Sequence, residues 1–159
     1  MLTEKDLNLR KTGIGGSDVA KICGVSKYGS PLTVYNEKKG LNEPQKKSIA
    51  LELGTLLESW ISQKYQNTTG NKVTNHPPLI RHKKYDFMIG NVDGIIEDKN
   101  ILLEIKTERN RMNWGQENSN HIPFEYLCQV THYLSITNLS LAHIFVFFKD
   151  IEEFGLYEI

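Results

Sequence analysis

Three ionisable residues with the potential for metal chemistry lie on two predicted strands. Asp93 lies in the segment 90–96, and Glu104 and Lys106 lie in 101–107; both segments are rich in β-branched and apolar residues. Because successive side chains of a strand point to opposite faces, Glu104 and Lys106 share one face. If the two segments pair as a hairpin, Asp93 approaches Glu104. Two carboxylates beside an ammonium group suit Mg²⁺-assisted attack of water on a phosphodiester.

The same pattern has a simpler interpretation. A glutamate and a lysine two residues apart on a strand also form ordinary surface salt bridges. The two residues alone leave both interpretations open, and other parts of the chain must decide between them.

Glu58 is a candidate third carboxylate. It lies in the predicted helix 49–67, beside the apolar stripe that contains Leu57 and Ile61. Such a residue is either solvated at the border of the stripe or directed into a cleft between helix and sheet.

The glycine-rich stretch before Ser17 is a candidate phosphate-binding segment. Ser17 is predicted to cap a short helix, and the start of a helix offers backbone N–H groups to an anion. Arg10 is close enough in sequence to add a guanidinium group. The residues also fit an ordinary capped helix with a flexible lead-in.

Gln129 and Tyr133 form a further candidate pair. They are four residues apart in the predicted helix 124–137 and therefore share one face of it. They are either half-buried amphipathic residues or residues of a site.

The order of predicted elements indicates an α/β fold. Helices occupy the first part of the chain, a run of strands follows between 72 and 107, and a helix and two strands complete it. This order predicts a mixed central β-sheet flanked by helices. The length of 159 residues predicts one domain spanning 1–159.

Composition narrows the class of protein. No run of about 18 apolar residues is present, and the first residues lack a secretory signal pattern, so we expect no membrane span. Two cysteines without a framework fit a cytoplasmic location. Net charge is zero, but residues 1–50 carry nine Lys/Arg and five Asp/Glu, which gives a basic end that suits a polyanion only weakly.

Taken together, the motifs resemble the YqaJ-like viral recombinases, the phage lambda-type alkaline exonucleases of the PD-(D/E)XK nuclease superfamily. The resemblance runs from Arg10 to about Phe148, and each motif is short, but six follow in the family's order. They are Arg10 with Gly15-Gly16-Ser17-Asp18, Gly54-Thr55-Leu56-Leu57-Glu58, Asn91-Val92-Asp93-Gly94, Leu103-Glu104-Ile105-Lys106-Thr107, Trp114 with Ile122-Pro123, and Tyr126-Leu127-Cys128-Gln129-Val130 with Tyr133-Leu134.

The resemblance implies a restriction-endonuclease-like core and a catalytic set. It implies that Asp93, Glu104 and the backbone carbonyl of Ile105 bind Mg²⁺, with Mn²⁺ as a substitute, and that Glu58 adds to this metal site. Lys106 is implied to position or activate the attacking water; because two carboxylates keep it protonated, it acts better as an electrostatic stabiliser than as a general base.

The resemblance also implies a DNA-end pocket and partners. Arg10 and Ser17 match residues that hold the terminal 5′ phosphate, and Asn91 occupies a position where relatives offer a small polar side chain. Gln129 is implied to orient the catalytic lysine or a phosphate, with Tyr133 supporting it. Further implications are duplex DNA ends as substrate, 5′ to 3′ polarity, a homotrimeric ring, a single-strand-annealing recombinase as partner, and a phage or prophage origin in a bacterial cytoplasm.

Two alternatives remain. The first is an endonuclease of the same superfamily. The second is a non-catalytic nuclease-like module that binds DNA ends or a protein partner, which the neutral charge favours. The chain also stops at Ile159, at the end of a predicted strand, where many relatives continue with further helices.

Overall fold

The computed structural model describes residues 8–42 and 48–159. A helical turn at 8–10 precedes the main elements. In chain order these are α1 (Gly16–Ile22), α2 (Pro31–Lys39), α3 (Ile49–Thr69), β1 (Val73–Asn75), β2 (Ile80–Arg81), β3 (Ile89–Gly90), β4 (Gly94–Ile96), β5 (Ile101–Glu108), α4 (Phe124–Thr137), β6 (Ala142–Phe148) and β7 (Glu153–Glu158). Within the described ranges, none of the helices combines the length and hydrophobicity needed to cross a lipid bilayer.

The described residues form two compact units, each built from three stretches of the chain. The helical unit comprises the described part of Met1–Lys46 together with Pro78–Asn91 and Phe124–Asn138. The sheet unit comprises the described part of Lys47–Pro77 together with Val92–Pro123 and Leu139–Ile159.

The sheet unit contains a five-stranded mixed sheet in the order β1-β4-β5-β6-β7. β5 and β6 are parallel, and the other neighbouring strands are antiparallel. α3 packs on this sheet through Ile61 and Tyr65, which join Leu103 and Phe145 in the hydrophobic core. The near-continuous apolar sequence of β6 fits this central position, because a strand covered on both faces needs few polar residues. The predicted mixed sheet with helices is confirmed.

The helical unit contains α1, α2 and α4 with the small antiparallel pair β2–β3. The start of α2 follows from its sequence: Ser30 caps it, accepting a hydrogen bond from the Thr33 amide at 3.3 Å, and Pro31 occupies the first position. Gly40, with φ 68°, ends it in the left-handed conformation that glycine adopts without strain.

The start of α1 differs from the prediction. Its N-cap is Gly15, and Ser17 lies inside the first turn. The Asp18 carboxylate accepts a hydrogen bond from the Gly15 amide at 2.8 Å, which satisfies an amide at the helix start and lets the helix begin before Ser17.

The predicted strand 90–96 is interrupted, so that its first residue belongs to β3 and its last three form β4. β3 pairs with β2, β4 pairs with β5, and residues 91–93 separate them. The Ile105 amide, which would continue the β4–β5 ladder, donates instead to Asp93 Oδ2 at 2.8 Å. The ladder therefore ends at Gly94 because the Asp93 side chain replaces a backbone acceptor.

Candidate active site

Asp93 and Glu104 are brought together by the antiparallel pairing of β4 and β5. Gly94 pairs with Leu103, and continuing this register by one residue places Asp93 opposite Glu104. The hydrogen bond from the Ile105 amide fixes the orientation of the Asp93 carboxylate. The structure thus contains the convergence that the sequence predicted for a hairpin.

Glu104 and Lys106 form a buried ion pair on the same face of β5. The Lys106 Nζ lies 2.6 Å from Glu104 Oε1, and Glu104 is only 1% exposed. Burial, and after it the charge of Asp93, raises the pKa of Glu104 above its ordinary value, although Lys106 opposes this. Burial by itself would lower the pKa of Lys106, but Glu104 and Asp93 outweigh it and raise that pKa. Lys106 is therefore held in its cationic form at neutral pH.

Glu58 on α3 completes the acidic group. Burial, followed by the charge of Asp93 and a hydrogen bond between the two carboxyl groups, raises the pKa of Glu58 to about 7. The hydrogen bond with Asp93 requires the two carboxyl groups to lie next to each other. Of the two sequence interpretations, the structure therefore has the one in which Glu58 is directed towards the other acids.

The donor chemistry of this group fits a divalent cation. Burial, and after it the charge of Asp93, raises the pKa values of Glu58 and Glu104, and a bound cation would offset both effects. Within the described residues, no group of three or more His, Cys, Asp or Glu side chains is placed so that all of them could hold one metal ion. Mg²⁺ does not need one, because it takes one or two carboxylates and keeps several waters.

His76 is a residue of this region that sequence reasoning missed. Its backbone amide donates to the Asp93 carbonyl at 2.9 Å, and its Nδ1 lies 3.5 Å from Glu58 Oε1. Knowing that β1 pairs with β4 would have revealed it, because this pairing brings His76 beside Asp93, 17 positions away.

The candidate DNA-end residues all belong to the helical unit. Gln129 Nε2 donates to Tyr133 Oη at 3.2 Å, so the predicted pair on α4 is in contact. Ser17 and Gln129 line one cavity of about 200 Å³. Arg10 and Asn91 are both partly buried, and neither lines that cavity.

Arg10 is supported by a second residue that the sequence did not single out. Lys38 Nζ on α2 donates to the Arg10 carbonyl at 2.8 Å and lies 2.5 Å from Asp18 Oδ2. Because Asp18 is buried, this lysine supplies its counter-charge and ties the turn at 8–10 to α1 and α2.

Comparison with known proteins gives a consistent result. The family model described as the YqaJ-like viral recombinase domain matches residues 7–140. A curated relative, the uncharacterized protein YqaJ of Bacillus subtilis, is 35% identical over 130 residues, which cover 80% of this chain. The chain spans about 40% of the length of that relative.

Two solved structures share the fold. The alkaline exonuclease LHK-Exo of Laribacter hongkongensis matches with a TM-score of 0.77 at 23% identity, over 99% of this chain and 81% of that chain. A phage-related exonuclease of Haemophilus somnus matches with a TM-score of 0.66 at 13% identity, over 96% of this chain and 86% of that chain. At these identities the likeness establishes a common fold, and the resemblance inferred from the motifs is confirmed at the level of the family and the fold.

Proposed function

The chain belongs to the YqaJ-like viral recombinase family, and from this premise we propose that it is a metal-dependent DNA exonuclease that degrades one strand from duplex ends. The observation that carries the proposal is the group formed by Asp93, Glu104 and Lys106, in which two carboxylates converge beside a buried ammonium group. A site that only stabilised the fold would gain little from such a group, since burying like charges costs free energy.

We assign the metal to Asp93, Glu104 and the backbone carbonyl of Ile105, with Glu58 contributing to the same site. When bound, Mg²⁺ or Mn²⁺ supplies a water of lowered pKa and neutralises charge on the phosphate. Lys106, cationic in this environment, stabilises the negative charge that accumulates on the scissile phosphate. Glu104 in turn holds the ammonium group of Lys106 in place.

We assign the terminal 5′ phosphate to the residues of the helical unit. Arg10 supplies a guanidinium group, Ser17 a hydroxyl and Asn91 an amide, all of which donate hydrogen bonds to phosphate oxygens. Gln129, in contact with Tyr133, offers a further amide for the phosphate. Recognition of a phosphorylated end favours an exonuclease acting 5′ to 3′ over an endonuclease.

The remaining proposals rest on family membership. They are a homotrimeric assembly, cooperation with a single-strand-annealing recombinase in phage-type recombination, and a location in the bacterial cytoplasm. We also propose that residues 1–159 act as one nuclease domain.

The function is tested with linear duplex DNA, with and without a 5′ phosphate, incubated in Mg²⁺, in Mn²⁺ and in EDTA. We expect nucleotide release that needs the metal, is faster from phosphorylated ends, and falls at least 100-fold in Glu104→Gln, which keeps the size of the side chain. Circular dichroism of the variant provides the control for folding.

Two outcomes would overturn the proposal in different ways. Nicking of closed circular plasmid at the rate of linear DNA would identify an endonuclease. Binding of duplex ends without cleavage in either metal would identify a non-catalytic module.

A further inference from the structure

His76 occupies a defined place in the sheet next to the acidic group. β1 ends at Asn75, which pairs with Gly94 of β4. The hydrogen bond from the His76 amide to the Asp93 carbonyl extends this pairing by one residue. His76 therefore lies opposite Asp93 on one side of β4, as Glu104 does on the other.

The backbone of His76 is unusual at this position. Its φ is 49°, in the left-handed region that non-glycine residues rarely adopt. The left-handed conformation costs backbone free energy in any residue with a Cβ atom, and a side-chain contact can offset this cost. The side-chain contact observed is with Glu58, whose Oε1 lies 3.5 Å from His76 Nδ1.

A second contact joins α3 to the end of β1. Ser62, one turn after Glu58 on α3, donates its hydroxyl to Asn75 Oδ1 at 2.6 Å, and Ser62 is 2% exposed. Two residues one turn apart on α3 thus contact the two adjacent residues Asn75 and His76 at the end of β1. The Ser62 bond sets the separation of the two elements, and the His76 contact reaches the carboxyl group itself.

We propose that His76 is a positioning residue, which holds the Glu58 carboxyl group beside Asp93 in the orientation that the metal site requires. The inference rests on the proposed function and adds a residue to its site. Groups that orient metal ligands commonly change metal affinity 10- to 100-fold when they are removed.

The test compares two substitutions that separate the imidazole from the backbone. His76→Gly relieves the left-handed conformation and removes the contact. His76→Asn also tolerates this conformation, and its amide nitrogen occupies the place of Nδ1. Mn²⁺ affinity is measured by electron paramagnetic resonance of the free ion, alongside the melting temperature and DNA cleavage.

For His76→Gly we expect Mn²⁺ affinity to fall about tenfold or more, with a melting temperature equal to or above that of the unsubstituted protein. For His76→Asn we expect most of that affinity to be recovered. A purely structural role would instead lower the melting temperature and leave the Mn²⁺ affinity of the folded protein unchanged.

Two results would overturn the inference. One is unchanged Mn²⁺ affinity in His76→Gly while Glu104→Gln loses it, which would leave the proposed function standing without His76. The other is an equal loss in both His76 variants, which would remove the role assigned to Nδ1. Failure of the unsubstituted protein to bind Mn²⁺ would overturn the proposed function together with this inference.

Discussion

Glu58 and Glu104 make the metal-free protein sensitive to pH in a direction that follows from their pKa values. Burial and the charge of Asp93 raise the pKa of Glu58 from 4.5 to about 7, and burial raises the pKa of Glu104 in the same sense. Between the ordinary and the raised value the folded state binds more protons than the unfolded state. The free energy of unfolding therefore falls as pH rises through this range.

Two buried histidines oppose this slope at lower pH. Burial lowers the pKa of His132 and of His143 below the ordinary 6.5. Below pH 6.5 the unfolded state therefore binds more protons at these residues, and the free energy of unfolding falls as pH falls. Above pH 6.5 the carboxyl groups determine how the free energy of unfolding changes with pH.

We expect the free energy of unfolding in EDTA to decrease by roughly 1–2 kcal/mol between pH 6.5 and 8.5, and Glu58→Gln to flatten the lower part of that slope.

Mg²⁺ or Mn²⁺ should reverse the effect of pH, because the site that we propose binds the cation through ionised carboxylates. The increase in melting temperature on adding 5–10 mM Mg²⁺ should be larger at pH 8.5 than at pH 6.5. Thermal unfolding followed by tryptophan fluorescence in matched buffers measures both quantities. A melting temperature in EDTA that rises across this range would contradict the shifts in pKa.

At the scale of elements, two helical glycines with different surroundings give opposite predictions. A Cβ atom on Gly16 of α1 would lie 2.5 Å from Tyr133 Cε1 and 2.9 Å from Gln129 Cγ on α4. A Cβ atom on Gly54 of α3 would meet no heavy atom closer than Thr107 Oγ1 at 3.6 Å. Gly16→Ala should destabilise the fold by about 1–3 kcal/mol because α1 must move away from α4. Gly54→Ala should stabilise it by about 0.5–1 kcal/mol because alanine favours the helix.

Urea unfolding of the two variants measures these changes against the unsubstituted protein. The Gly54 variant controls for the general effect of adding a methyl group to a helix. Equal changes in the two variants would mean that the close approach of α1 to Tyr133 does not govern the packing of α1.

Local sequence signals placed most elements correctly. The α4 helix begins after Pro123 and ends at Thr137 as its pattern predicts, and Ser30 with Pro31 marks the start of α2. The incorrect predictions concern places where a side-chain carboxylate accepts a backbone hydrogen bond in place of a backbone carbonyl. Asp18 moves the start of α1, and a pattern of residue types cannot show which amide a carboxylate will bond.

The site was predictable to the extent that it lies along one hairpin. Asp93, Glu104 and Lys106 are close in sequence, so alternation along strands and one turn are enough to bring them together. His76 and Lys38 escaped prediction because their contacts depend on the pairing of β1 with β4 and on the packing of α2 near the turn at 8–10. Such long-range contacts are set by the tertiary fold.

At the scale of the whole molecule, the candidate residues fall into two sets, one in each unit. The carboxylates and Lys106 belong to the sheet unit, and the candidate phosphate residues belong to the helical unit. The chain passes from one unit to the other five times. Neither unit is a continuous segment, so we expect them to fold as a single cooperative domain rather than independently.

The tryptophans and cysteines of the chain can report the unfolding of each unit separately. Both tryptophans, Trp60 and Trp114, lie in the sheet unit, and both cysteines, Cys23 and Cys128, are free thiols of the helical unit. In a Cys23→Ser variant, labelling of the partly buried Cys128 reports the helical unit, while tryptophan fluorescence reports the sheet unit. We expect the two probes to give the same urea midpoint, because cooperative unfolding exposes both at once.

The glycine variants test whether the two units unfold together, because each changes the stability at a site in one unit. The atoms nearest to a Cβ on Gly16 belong to the helical unit, and Gly54 lies in the sheet unit. If the chain is one cooperative domain, Gly16→Ala must lower the fluorescence midpoint of the sheet unit as much as the labelling midpoint of Cys128, and Gly54→Ala must raise both. A shift confined to the probe of the substituted unit would instead show two domains of independent stability, because each substitution would then act only on the equilibrium of its own unit.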